Sequence, residues 1–319
     1  MLTEFDLIDR LKTKYRLDRI GDDCAILPDG DTTDQVITTD LLIEDIDFRL
    51  EWTTPQLLGH KALAVSLSDI AAMGATPKWA MLSLGVPESL WKTNFLEQFY
   101  AGWHELADRH SIELVGGDIS RSPERFVIDS IAGGQIEAGR AVTRSGARVG
   151  DSVFVTGFLG GAAAGLEMLE KGIRFDDSLA APIKHLLFRQ LQPLPQTITG
   201  KLLRQYGLPT AMIDISDGLS SDLTHILRAS SVGCRLTADD IPIDPAIRAT
   251  PGLTAKGLDL ALHGGEDLEL LFTVDPEKNS VAQDLGFHLI GVITANIGII
   301  ELIGHNGSTL LEPKGYRHF

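Results

Sequence analysis

The stretch Ile213-Asp214-Ile215-Ser216-Asp217-Gly218-Leu219-Ser220-Ser221-Asp222-Leu223 constrains this chain more than any other. Thr210 to Ile215 reads as a buried strand that runs straight into a helix. Leu219, Leu223, Ile226 and Leu227 repeat there at helical spacing, giving that helix one apolar face. Gly218 marks the turn, and Ser216 is a natural N-cap whose hydroxyl can accept from a free backbone N–H. Asp214, Asp217 and Asp222 fall within nine residues. Acids gain some support from a helix N-terminus, but several carboxylates converging there repel unless a cation lies between them, and Mg²⁺ suits oxygen ligands. Alone, the stretch fits a capped helix or a metal site. Asp222, one turn into the helix, reads as surface charge.

Composition narrows the class. With 319 residues and 44% apolar content the chain is long enough for one large domain or two ordinary ones around a packed core. Lys plus Arg number 28 against 44 Asp plus Glu, a net charge of −16. Such a chain is not expected to bind nucleic acid non-specifically or an anionic membrane surface. The only cysteines, Cys24 and Cys234, are far apart, which argues against a disulfide framework and a cysteine zinc site. No stretch is long and apolar enough to span a bilayer, and the first residues lack a signal-peptide pattern, so a cytoplasmic location is expected.

Acids recur at the ends of other predicted elements. A helix is expected over residues 1–20, and Gly21-Asp22-Asp23-Cys24 turns into a strand. The strand Gln35 to Leu42 delivers Thr38, Thr39 and Asp40, hard-oxygen groups suited to Mg²⁺ or phosphate. A helix runs from a Thr53/Gln56 capping box to about Met73, with Gly74 ending it. Lys61, Val65 and Asp69 share one face, so Asp69 either pairs with the lysine or points into a site; residue types favour the pair. A strand over 79–86 and a helix over 90–110 precede Gly116-Gly117-Asp118, where an acid closes a buried strand. The loop 138–150 holds Arg140, Arg144 and Arg148 with no acid among them, a place to meet phosphate and a boundary between residues 1–137 and 138–319. Gly160 to Gly165 lacks both G-x-G-x-x-G spacing and a Walker sequence, and reads as close packing of a helix on the sheet. Gly264-Gly265-Glu266-Asp267 repeats the glycine-acid pattern.

No Ser-His-Asp arrangement or His-x-x-x-His zinc pair is visible. Many carboxylates with a few arginines and glycine loops are what a multi-Mg²⁺ phosphoryl-transfer site needs. The ordered set Gly21-Asp-Asp-Cys-Ala25, Thr38-Thr39-Asp40, Lys61 to Ala75, Gly116-Gly-Asp118, Thr143-Arg-Ser-Gly-Ala147, Asp214-Ile-Ser-Asp-Gly-Leu219 and Gly264-Gly-Glu-Asp267 resembles the motifs of the thiamine-monophosphate kinase family, of the aminoimidazole-ribonucleotide synthetase superfamily. The likeness extends to the Lys314-Gly-Tyr-Arg-His-Phe319 ending.

The resemblance implies a two-domain α+β fold whose N-terminal half dimerises through its sheet, with a nucleotide site between the halves. It implies ATP- and Mg²⁺-dependent phosphorylation of thiamine monophosphate to thiamine diphosphate by direct in-line transfer. Carried over by motif, Asp23, Thr38, Thr39, Asp40, Asp69, Asp118, Asp214 and Asp217 would hold several Mg²⁺ ions, with Asp118, Asp40 and Asp217 catalytic. Gly117, Asp118, Arg144 and Ser216 would contact ATP; Glu266 and Tyr316 would contact thiamine. Asp47 stands where the family usually has a substrate-side histidine. Gln192-Pro-Leu-Pro-Gln196 lacks the arginines of the family's Pro-x-Pro-Arg segment. Both departures remove positive or potentially positive charge near the substrate. A non-catalytic nucleotide-binding relative is the alternative reading.

Overall fold

A computed structural model describes residues 4–316. Helix α1 (Glu4–Tyr15) precedes β1 (Ala25–Asp29), β2 (Thr33–Ile43), α2 (Pro55–Ala72), β3 (Thr76–Val86), α3 (Glu88–Trp91), α4 (Phe95–His110), β4 (Glu113–Arg121) and β5 (Val127–Glu137). After a segment without helix or strand come β6 (Ser152–Val155), α5 (Gly161–Glu170), α6 (Ala181–Leu191), α7 (Thr197–Gln205), β7 (Pro209–Asp214), α8 (Leu219–Ser230) and β8 (Gly233–Thr237). The chain continues through α9 (Pro245–Arg248), α10 (Gly257–His263), β9 (Leu270–Val274), α11 (Asn279–Asp284), β10 (His288–Thr294), β11 (Ile300–Gly304) and β12 (Gly307–Leu310).

The first strands form a five-stranded sheet ordered β1-β2-β5-β3-β4; the others form a seven-stranded sheet ordered β12-β11-β8-β10-β6-β9-β7. In the first sheet only β3 and β4 are parallel, joined across α4 as parallel strands require. Leu63, Leu67, Phe99, Trp103 and Phe126 fill the core between that sheet and helices α2 and α4. Ile213, Leu219, Leu223, Ile226 and Leu271 lie in the core of the second half. Helix α2 is apolar on nearly every side and is buried on nearly every side. It packs on the first sheet and α4, and reaches β7 and α7 of the second half. Among the described residues no helix is long and apolar enough to cross a membrane.

Four local expectations change. The cap of α2 is Thr54, whose hydroxyl accepts from Leu57 N, one residue after the expected Thr53. The helix expected over 90–110 breaks into α3 and α4. The strand bearing Asp118 is an exposed edge that continues to Arg121, so no acid closes a buried strand there. Gly165 packs on helix α6 rather than on a sheet: a Cβ there would lie 2.1 Å from Leu186 O.

Candidate active site

Side chains alternate across a strand, so β2 sends Thr38 and Asp40 toward α2 and Thr39 to the opposite face. Thr38 donates its hydroxyl proton to Asp69. Ser66 Oγ donates to Asp40 Oδ2 at 2.7 Å, and Ser68 Oγ donates to Asp214 Oδ2 at 2.6 Å. Helix α2 thus supplies Ser66, Ser68 and Asp69 to one point, where β2 brings Thr38 and Asp40 and the end of β7 brings Asp214. Asp69 does not pair with Lys61. Asp23, just before β1, is buried and receives Arg144 Nη2 at 2.7 Å and Nε at 3.2 Å on Oδ1. Asp23, Asp69 and Asp214 each offer an oxygen within 4.8 Å of the others.

Burial pushes these carboxyls up, and neighbouring acids add to it at Asp69 and Asp214 from within the group and at Asp40 from Asp129. Asp40 rises to about 6 and Asp214 to about 7, the latter also through Asp23. Asp69 is held well above the carboxylate range by burial and by Asp40, Asp214 and Asp23. Asp22, half-buried beside Asp23, rises to about 6 through partial burial and the Asp23 charge and accepts from Arg144 N at 3.0 Å. Burial opposes the Arg144 charge, but Asp23, Asp22 and Asp214 outweigh it and keep the guanidinium above its ordinary range. Asp23 Oδ2 is buried without a hydrogen-bond partner. An orphaned carboxylate oxygen among hydroxyls and further carboxyls, with one arginine as counter-charge, fits a hard divalent cation such as Mg²⁺.

The turn after β7 is built differently from the sequence expectation. Ser216 is exposed and caps nothing; Gly218, at φ 115°, precedes the first turn of α8. Asp222 is 2% exposed, not surface charge, and its Oδ2 accepts from Asp217 N at 3.1 Å and Gly218 N at 3.0 Å. Burial, then Asp217 and Asp214, push its carboxyl well up. Beside this turn, Tyr316 N donates to Asp217 O at 3.1 Å, so the C-terminal segment folds back on it. Residues 317–319 of the ending lie outside the described residues. The Tyr316 hydroxyl is pushed up by burial and by the charges of Asp47, Asp217 and Glu266. Asp47 Oδ2 accepts from Ile43 N at 2.7 Å.

Three expected residues lie elsewhere in the chain. Thr39 donates to Asp129 Oδ1 at 2.7 Å on the outer face of the sheet. The register Asp40–Ser130–Leu82–Gly117 puts Gly117 three strands from Asp40, about 14 Å. Asp118 follows it, exposed, accepting from Ile119 N at 2.9 Å. Within this chain Thr39, Gly117 and Asp118 therefore lie apart from the Asp23, Asp69 and Asp214 group. Sequence reading passed over Asp22, Ser66, Ser68 and Asp129; Asp22 alone had a signal, as the first acid of Gly21-Asp-Asp.

Residues 21–136 match the family described as AIR synthase related protein, N-terminal domain, and residues 148–300 match its C-terminal domain. A thiamine-monophosphate kinase of Escherichia coli O157:H7 is 39% identical over 99% of this chain and 98% of its own length. The Bacillus subtilis thiamine-monophosphate kinase is 35% identical over 100% of both. A solved structure described as AaThiL complexed with AMPPCP and TMP is 34% identical, with a TM-score of 0.89 over 100% of this chain and 97% of that one. By identity, coverage and fold together, this chain belongs to the thiamine-monophosphate kinase family.

Proposed function

We propose that the chain transfers the γ-phosphoryl group of ATP directly to the phosphate of thiamine monophosphate, giving thiamine diphosphate and ADP. The observation that carries this reading is the group of buried Asp23 and Asp214 with half-buried Asp69, with oxygens within 4.8 Å of one another, beside the Arg144 guanidinium. Asp23, Thr38, Asp40, Asp69, Asp214 and Asp217 would hold several Mg²⁺ ions, which neutralise phosphate charge and set the line of transfer. Arg144, anchored by Asp23, presents a fixed cation toward the nucleotide, and the exposed Ser216 adds a hydroxyl at its rim. Glu266 and Tyr316 would bind the thiamine portion, with Asp47 facing the same space. The oxygen of the acceptor phosphate attacks the γ-phosphorus in line as the bond to the β-phosphate breaks.

Thr39, Gly117 and Asp118 enter this scheme through a homodimer. On the sheet's outer face Leu41 is 57% and Met81 37% exposed, and Leu27 is exposed further along it on the edge strand β1, apolar groups fit to meet a second copy. Residues 1–137 then supply the dimerising and ATP–Mg²⁺ half, and 138–319 complete the nucleotide and substrate site, in a cytoplasmic enzyme. The test incubates the purified protein with ATP, Mg²⁺ and thiamine monophosphate. Thiamine diphosphate and ADP are expected in equal amounts. Bound ATP without any diphosphate product would overturn the kinase reading in favour of a nucleotide-binding relative.

A further inference from the structure

Helix α2 carries two charged side chains, Asp69 and Lys61. Lys61 lies two turns before Asp69 and its side chain is only 5% exposed. Its Nζ stands 2.7 Å from Glu266 Oε1, on a carboxylate 31% exposed. Glu266 Oε2 accepts from Nε2 of Gln190, a buried residue of α6. Two struts from different elements therefore fix the two oxygens of one acid.

The backbone beneath that acid is also constrained. Glu266 has φ 66° and Leu268 φ 51°, left-handed values that strain non-glycine residues and persist only where the surroundings impose them. Glu266 N donates to Ser216 O at 2.7 Å and Leu268 N to Ile215 O at 2.9 Å, clamping this loop to the Asp214–Asp217 turn. An acid needed only for solubility requires neither a strained backbone nor a buried ammonium, whose removal from water is costly. The ammonium comes from the first half of the chain and the acid from the second.

We propose that Lys61 is a positioning residue. It does not touch substrate; it fixes the direction of Glu266 and ties that acid to the helix that carries Asp69. Acceptor binding and phosphate binding are thereby referenced to one rigid element. The proposal rests on the substrate role given to Glu266 above.

The test compares Lys61→Met, Glu266→Gln and the double variant in the full-length enzyme, with Lys61→Gln as a second removal of the charge. Either Lys61 variant should raise KM for thiamine monophosphate by about 10- to 100-fold, the usual loss when a supporting contact is released. KM for ATP should stay at its wild-type value and kcat should change far less. In the Glu266→Gln background, removing Lys61 should add nothing to KM. An unchanged KM for thiamine monophosphate in the Lys61 variants, or an equal added loss in that background, would overturn the positioning role. So would unfolding of both Lys61 variants by circular dichroism, which would make the pair structural. A Glu266→Gln enzyme with wild-type KM would instead overturn the substrate role of Glu266, and this proposal with it.

Discussion

Asp69→Asn is the sharpest perturbation of the acid cluster. The substitution keeps an oxygen for the Thr38 hydroxyl and removes one negative charge. Carboxylate oxygens within 4.8 Å of one another repel by about 3 kcal/mol per ionised pair at an effective dielectric of about 20. In metal-free protein these acids avoid that repulsion by keeping protons. Their raised pKa values favour the fold below the unfolded value of 3.8. That stability is withdrawn as pH climbs through about 6 for Asp40 and about 7 for Asp214, and Asp69, also raised well above its unfolded value, adds to the loss. Wild-type and variant should therefore be about equally stable in chelator only below about pH 4, where the unfolded carboxyls also keep their protons. The variant should become more stable by about 3 kcal/mol at alkaline pH, where the wild-type cluster is forced to ionise. Adding Mg²⁺ should reverse the order, since mass action stabilises only the protein that binds it. Turnover should be lost in the variant at every pH. Denaturant unfolding across a pH series, with chelator and with Mg²⁺, checks all of this. A variant less stable than wild type in alkaline chelator, or one that keeps the full Mg²⁺ stabilisation, would refute the reasoning.

Two further outcomes follow from geometry. Asp222→Ala leaves the Asp217 and Gly218 N–H groups without their acceptor and should cost about 1–3 kcal/mol, with weaker Mg²⁺ binding by titration, whereas Asp222→Asn should keep most of both. Leu41→Glu places a charge on the bare face of the first sheet, so sedimentation velocity should show a monomer with little activity; an active monomer would remove the partner subunit from the site.

Much of this was legible in the sequence because it rests on local rules. The strand read over Gln35 to Leu42 and the helical spacing of Leu219 to Leu227 are both elements that the fold contains. Asp23, Asp69 and Asp214 were singled out by their motifs and do converge. What stayed hidden depends on register and on tertiary burial. Neighbouring Thr38 and Thr39 look equivalent in a motif, yet strand alternation sends them to opposite faces. Asp222 sits where a helix surface is expected, and only the packed turn shows it turned back on the backbone. Lys61 shares a helix face with Asp69 two turns away, but its partner, Glu266, is more than two hundred residues away. Ser66 and Ser68 carry no local signal, since a serine inside an apolar helix announces nothing about the acid it faces.

Helix α2 belongs to the first half by sequence, yet Ser68 holds Asp214, a Cβ on Gly200 would lie 2.1 Å from Ala71 O, and Arg204 Nε donates to Gly74 O at 2.9 Å. A nick at the exposed Val149 would therefore not release two modules. Each fragment would keep a surface shaped only for the other, and the cut protein would stay assembled. The same helix sets a limit on divergence: a residue on α2 cannot change to suit one half without being tested at once by the other.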